Sequence, residues 1–226
     1  MAKRKERLIC SEADLVAHDD EIDRAICGVS LFATDEARLP GKGAHGSSPT
    51  FYFVLDELLG KLELDENSHL LDVGCGKGRV LAYFLWQGLP GRVTGVELDP
   101  EMAAVARSWS AKYDRIRVVE GSVLDLDLSP FTHFYLFNPF DPNVLGRFIE
   151  AVEEKVDHPC TVVHMSDNGD TWWYQGRPGW TQEREGTFYT YRNARNQQIK
   201  VYQCHQHYTV WRFDPPILTE GRGGLP

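Results

Sequence analysis

Leu70-Leu71-Asp72-Val73-Gly74-Cys75-Gly76-Lys77-Gly78-Arg79-Val80-Leu81 compresses a strand, a glycine turn and the start of a helix into twelve residues. The leading residues extend an apolar run from His69 to Gly74. Such a run reads as a parallel strand, because a strand covered on both faces loses its polar alternation. Glycine then recurs at 74, 76 and 78. It is required where backbone adopts positive φ or approaches a ligand without a Cβ in the way. Helical spacing of Val80, Leu81, Phe84 and Leu85 starts at once. The turn therefore ends on a helix N-terminus, with unpaired N–H groups and the positive end of a dipole. Such a turn can hold an anion or a carboxylate.

Downstream, the pattern repeats. Arg92 to Leu98, Ile116 to Glu120, His133 to Phe137 and Thr161 to Met165 read as strands. Between them, Pro100 opens a helix with a face of Ala103, Val105, Ala106 and Trp109, and Leu145, Phe148, Ile149 and Val152 stripe another. Strands alternating with helices predict an α/β fold: a parallel sheet with helices on both faces, because each parallel crossover needs one. Upstream, Phe51, Val54, Leu55, Leu58, Leu59 and Leu62 predict a helix over 49–63, opened by Pro49. Residues 39–49 read as a loop and the acid-rich stretch 11–24 as a solvated segment. In the last third, Thr187 to Arg192 and Lys200 to Phe213 predict an antiparallel hairpin closing the sheet, with a frayed tail after it.

The spacing narrows the ligand. Arg79 stands where the dinucleotide fingerprint has its third glycine, and the residue order is not that of a P-loop. Gly95-Val96-Glu97-Leu98-Asp99 ends the second strand, and Glu97 falls 23 residues beyond Gly74. A carboxylate there accepts two hydrogen bonds from a ribose diol, which suits an adenosine cofactor lying across the sheet's switch point.

The two motifs together resemble motif I and the second-strand acid of class I S-adenosylmethionine-dependent methyltransferases, and the resemblance covers about residues 49–165. It implies a three-layer Rossmann-like sandwich, a mostly parallel seven-stranded sheet with a reversed terminal hairpin strand. The domain would span 49–215, with an N-terminal, substrate-side extension over 1–48 and a tail over 216–226. The implied cofactor is S-adenosyl-L-methionine, giving S-adenosyl-L-homocysteine as product. Its implied contacts are Asp72, Gly74, Cys75, Gly76, Glu97, Leu98, Ser122, Val123 and Asn138. In that pattern Gly74 and Gly76 pass under the methionine part, Asp72 supports the amino group and Glu97 binds the ribose. Ser122 stands where many members carry an acid that contacts the adenine amine.

Phe137-Asn138-Pro139-Phe140 ends the fourth strand and resembles the [DN]-P-P-[FY] motif of amino-group methyltransferases with one proline missing. Asn138, Pro139 and Phe140 are therefore the expected catalytic residues. Methyl transfer is an in-line displacement in which alignment supplies much of the acceleration. The Asn138 side-chain oxygen would accept from an attacking amine, Pro139 would fix the turn, and the Phe140 ring would face a cation. The plainer alternative is a strand ended by an Asn-Pro turn. The Gly-Lys-Gly-Arg loop and Ser48-Pro49-Thr50 are also similar to a loose group of protein lysine methyltransferases, including the non-SET histone type.

Composition bounds the partners. The 226 residues carry 24 Lys and Arg against 33 Asp and Glu, a net charge of −9. That field repels phosphate backbones and argues against a nucleic-acid partner. No window approaches the roughly 20 apolar residues of a membrane span. Five scattered cysteines without C-x-x-C spacing suit reduced thiols in the cytoplasm, and the basic N-terminus lacks the apolar run of a secretory signal. Cys204-His205-Gln206-His207 looks metal-like, but strand alternation separates the thiol from both imidazoles, so no metal site is expected. Trp172, Trp173, Tyr174 and Trp180 suit either a lid over the acceptor or a cover for the sheet. His164 suits a core histidine better than a general base. Lys77 and Arg79 either meet a cofactor carboxylate or sit on an exposed helical turn.

The expected function is methylation of a nitrogen nucleophile, a protein lysine or a small-molecule amine. A nicotinamide-dependent oxidoreductase and a non-catalytic module of the same fold remain alternatives. The acceptor and the oligomeric state are left open.

Overall fold

The computed structural model describes residues 8–32, 49–167 and 169–216. The loop expected over 39–48 and the chain beyond 216 lie outside those residues. Nine strands occur among them: β1 (His69–Val73), β2 (Arg92–Glu97), β3 (Ile116–Glu120), β4 (His133–Phe137), β5 (Cys160–Met165), β6 (Trp180–Phe188), β7 (Thr190–Arg192), β8 (Gln198–Lys200) and β9 (Gln206–Phe213). The helices are α1 (Glu12–Cys27), α2 (Tyr52–Leu58), α3 (Arg79–Trp86), α4 (Pro100–Ser110) and α5 (Pro142–Lys155). Seven strands form one sheet in the order β3-β2-β1-β4-β5-β9-β6. The first five are parallel, and β9 is antiparallel to both β5 and β6. This is the expected Rossmann-like sandwich with its reversed strand.

Strand alternation divides the core. Leu70, Tyr135, Val163, Met165, Tyr208 and Val210 belong to one cluster with Leu15 of α1, Leu55 of α2 and Leu81 of α3. Leu71, Val73, Leu136, Val162 and Trp211 belong to the other, with Phe148 and Ile149 of α5. The helices after β2 and β4 start alike, at Asp99-Pro100 and Asp141-Pro142. Each aspartate accepts two backbone N–H groups and each proline occupies a position that needs no donor.

Two expectations need correction. Residues 11–24 are not a solvated segment but most of α1, capped by Ser11 and closed by Gly28 at φ 77°. Asp19 and Asp23 are fully buried, a placement explained by the cation that faces them (below). The terminal hairpin is larger than expected. Its arms are β6 and β9, while β7 and β8 pair separately. The strand β6 begins at Trp180 and lies at the edge of the sheet. There, Gln182, Glu183 and Glu185 are exposed and break the apolar pattern.

Candidate active site

The glycine turn is fastened on three sides. Gly74 and Cys75 donate backbone N–H bonds to the Val96 carbonyl of β2 at 2.9 and 3.0 Å. Gly76 N–H donates to Glu97 Oε2 at 2.7 Å, and Asp99 N–H to Glu97 Oε1 at 2.8 Å. The Trp109 indole of α4 donates to the Lys77 carbonyl at 2.9 Å. Gly78, at φ 94°, leaves room for that indole, since a Cβ would stand 2.8 Å from its ring. Glu97 is thus held against the turn while remaining partly accessible. Burial raises its pKa, and the Asp99 and Gly76 amides oppose the shift.

Asp72 presents the sharper electrostatic feature. It is 3% exposed, and its Oδ2 has no hydrogen-bond partner. Burial, then the charge of Glu97, pushes its pKa well up. It lines a cavity of about 40 Å³ with Leu31, Thr50, Gly74, Cys75, Arg79, Tyr135 and Phe137. Tyr135 stands opposite Asp72 in the β1–β4 register, and its hydroxyl lies 2.8 Å from Thr50 Oγ1. An unpaired buried carboxylate costs free energy unless a cation meets it. An ammonium entering this cavity would supply that partner.

At the end of β4, Asn138 takes φ 41°, rare for a residue with a side chain. Pro139 abuts Gly74, joining the turn after β4 to the turn after β1. Phe140 is 9% exposed and packs its ring 5.9 Å from that of Phe148. The ring is committed to the core and does not face the cavity. Phe137, half-buried, lines the cavity instead. Tyr135 and Leu31 went unnoticed in the sequence as site residues, and Thr50 was singled out only as part of Ser48-Pro49-Thr50. Tyr135 had a local signal, a polar atom in an apolar central strand.

Beyond β3, Ser122 is partly buried and caps a short turn, its Oγ accepting from Leu124 N–H at 3.2 Å. Val123 turns its side chain into the core, 4% exposed, and Leu98 is half-buried beside Glu97. The thiol of Cys75 is buried, and burial followed by Asp72 and Glu97 raises its pKa well above the usual range. Lys77 lines the cavity. Arg79 fits neither expectation: it is 4% exposed and paired with Asp23.

The remaining sequence features settle elsewhere. His164 is 2% exposed, 3.4 Å from the Tyr174 hydroxyl, with its pKa lowered to about 4 by burial. Tyr174 stacks on Trp211 at 5.0 Å, Trp173 lies over Gly146 of α5, and Trp180 donates to Glu153 at 2.8 Å. Tyr174 thus packs on β9 and Trp173 on α5, while Trp180 belongs to β6 itself. Trp172 remains exposed. His205 stacks on Tyr189, while His207 pairs with Asp167 at 2.9 Å. All five cysteines are free thiols. Among the described residues no helix is long and apolar enough to cross a membrane.

The strand order, the glycine turn and the acid on β2 define the class I S-adenosylmethionine-dependent methyltransferase fold. Residues 70–155 match the family described as a methyltransferase domain. The chain is 34% identical over 104 residues to the probable ribosomal RNA small subunit methyltransferase A of Haloarcula marismortui, covering 42% of this chain and 36% of that one. It thus spans about a third of that curated relative's length. An RNA methyltransferase from Salinibacter ruber, solved with S-adenosyl-L-homocysteine, superposes with a TM-score of 0.52 at 22% identity, over 75% of this chain and 94% of that one. Precorrin-6y C5,15-methyltransferase from Geobacter metallireducens superposes with a TM-score of 0.55 at 17% identity, over 81% and 94%.

Proposed function

We propose that the protein transfers the methyl group of S-adenosyl-L-methionine to a nitrogen nucleophile, a protein lysine or a small amine. The observation that carries this reading is the pair of carboxylates flanking the glycine turn. Asp72 offers an unpartnered oxygen inside the cavity, and Glu97 stands over Gly76 at the end of β2. The first suits the ammonium of an amino-acid tail and the second a ribose diol. Residues 49–215 would form the transfer domain. The cofactor would supply a methyl on a sulfonium, and a nitrogen–carbon bond would form as the sulfur–carbon bond breaks.

The chain's own residues would bind and align. Gly74, Cys75 and Gly76 keep Cβ bulk away or turned inward, so the donor can lie on the backbone. Leu98, Ser122 and Val123 would border the adenine, with Ser122 Oγ and the Val123 backbone as polar contacts. Asn138, next to Pro139 and level with the turn, would accept a hydrogen bond from the amine and point its lone pair at the methyl carbon. Phe137 takes the aromatic position first expected of Phe140. A dry cavity favours a reaction that discharges a sulfonium. An amine arriving deprotonated needs no strong base, and its proton leaves to solvent afterwards.

A ribosomal RNA acceptor is the second reading, favoured by the name of the Haloarcula relative. The net charge of −9 opposes a long phosphate backbone unless a local basic patch compensates. Five free thiols fit a reducing compartment such as the cytoplasm. Calorimetry with S-adenosylhomocysteine tests the cofactor. Transfer of labelled methyl to lysine peptides, small amines and ribosomal RNA tests the acceptor. Label on RNA alone would replace the amine reading, and no heat at high micromolar ligand would favour a non-catalytic module.

A further inference from the structure

A buried ionic cluster lies directly behind the glycine turn. Arg79, the first residue of α3, pairs through Nη2 with Asp23 Oδ2, and its Nη1 lies 3.7 Å from Asp19 Oδ2. Its guanidinium sits 4.3 Å from the centre of the Phe32 ring. Asp23 Oδ1 accepts from the Tyr52 hydroxyl at 2.8 Å, and Asp19 Oδ2 from the Tyr52 backbone N–H at 2.9 Å. Asp23 Oδ2 also accepts the backbone N–H of Leu31 at 3.1 Å. Leu31 is 2% exposed and lines the Asp72 cavity.

We propose that Asp23 and Arg79 are positioning residues that latch Leu31 over the Asp72 cavity, making residues 28–32 a lid on the methyl-donor site. The proposal rests on the cofactor reading above. Three features support it. The latch is attached to the turn itself, since Arg79 follows Gly78 directly. It grips the backbone of the very residue that walls the cavity. The cavity is too small as it stands: about 40 Å³ holds a few waters, at about 10–15 Å³ of such volume each. An amino-acid tail with its ammonium and carboxylate needs more, and on this proposal Leu31 swings away to admit it and returns to seal it. Such closure excludes water and slows release. The planar guanidinium suits the role because it addresses two carboxylates and an aromatic ring at once.

The test follows S-adenosylhomocysteine release by stopped flow and exchange of the Leu31 amide by hydrogen–deuterium exchange. Arg79→Lys keeps the charge but loses the fork. It should release ligand at least tenfold faster and exchange the Leu31 amide at least tenfold faster. Leu31→Ala leaves the ionic cluster intact and should also release ligand at least tenfold faster, with the Tyr52 amide still protected as proof of folding. Fast Leu31 exchange in Arg79→Lys with ligand release unchanged would reduce the cluster to a structural role and overturn the proposal. So would unchanged release from Leu31→Ala. Wild-type protein that binds no S-adenosylhomocysteine would overturn the cofactor reading itself, and the lid with it, before any variant is made.

Discussion

A Cβ placed on Gly74 would lie 2.9 Å from the Cβ of Pro139. The backbone of the turn that follows β1 therefore lies against the Pro139 ring of the turn that follows β4. These are the adjacent strands from which the chain departs in opposite directions, and ligands of open α/β sheets bind at that crevice. The contact sets the proposed donor loop against the proposed acceptor turn, with no room for a Cβ on Gly74.

Gly74→Ala should disturb both. The residue sits at φ 73°, where a Cβ costs about 1–2 kcal/mol. The clash with Pro139 adds displacement of the acceptor turn. We expect a lower melting temperature and at least tenfold weaker binding of S-adenosylhomocysteine by calorimetry. Wild-type affinity in a destabilised variant would separate the turn from the cofactor.

Glu97 holds the Gly76 and Asp99 amides and is proposed also to bind the ribose, and two substitutions part these tasks. Glu97→Ala removes the ribose acceptor together with the Gly76 and Asp99 bonds, and should weaken cofactor binding by about 1.5–3 kcal/mol. Glu97→Gln retains an amide oxygen for the Gly76 N–H and should lose less. Unchanged affinity in the alanine variant would take Glu97 out of the ribose role.

Asn138 combines an unusual backbone with a polar side chain. Asn138→Gly tolerates φ 41° and deletes the whole side chain, whereas Asn138→Ala deletes the amide but keeps the Cβ at a strained φ. Both should lower kcat far more than cofactor affinity, with the glycine variant the more stable. Equal losses in turnover and affinity would make Asn138 a binding residue only.

Acid should loosen the fold through two histidines. Burial holds His133 and His164 near pKa 4, below the ordinary 6.5. A depressed histidine contributes stability that is present above pH 6.5 and is lost as pH falls through about 4, up to roughly 3 kcal/mol each. The raised carboxyls of Asp72 and Glu97 act in the opposite sense, favouring the fold as pH falls, so the histidine contribution is read by comparison with a variant. Between pH 7 and pH 4 the urea midpoint of wild type should fall further, or rise less, than that of His164→Gln, and identical pH profiles would show that this imidazole is not the titrating group.

How much of this was legible in the sequence depended on the reach of each interaction. The β1 turn and Glu97 were readable because both motifs are local and lie on neighbouring strands. The alternation that set the sheet was readable because central strands are apolar throughout. By contrast, α1 looked solvated. Its Asp19 and Asp23 are one helical turn apart, and the cation that permits their burial lies 56 residues beyond Asp23. Phe140 was expected among the catalytic residues on motif resemblance, yet its ring packs on Phe148, eight residues on and in the helix stripe already visible. For β6, an edge strand's charges concealed its period. Nothing local could have flagged Leu31, whose place at the cavity comes only from what the fold brings next to it, whereas Thr50 was within reach through Ser48-Pro49-Thr50.

The position of β9 between β5 and β6 has a consequence for biosynthesis. While the chain emerges from the ribosome, β6 appears first but has no neighbour to dock on until residues 206–213 arrive. The parallel half, with the glycine turn and Glu97, can condense earlier from contacts closer along the chain. Arrest of translation just after β6 should thus leave a nascent species with its donor pocket nearly assembled and the flank of β5 uncovered, a natural client for chaperones.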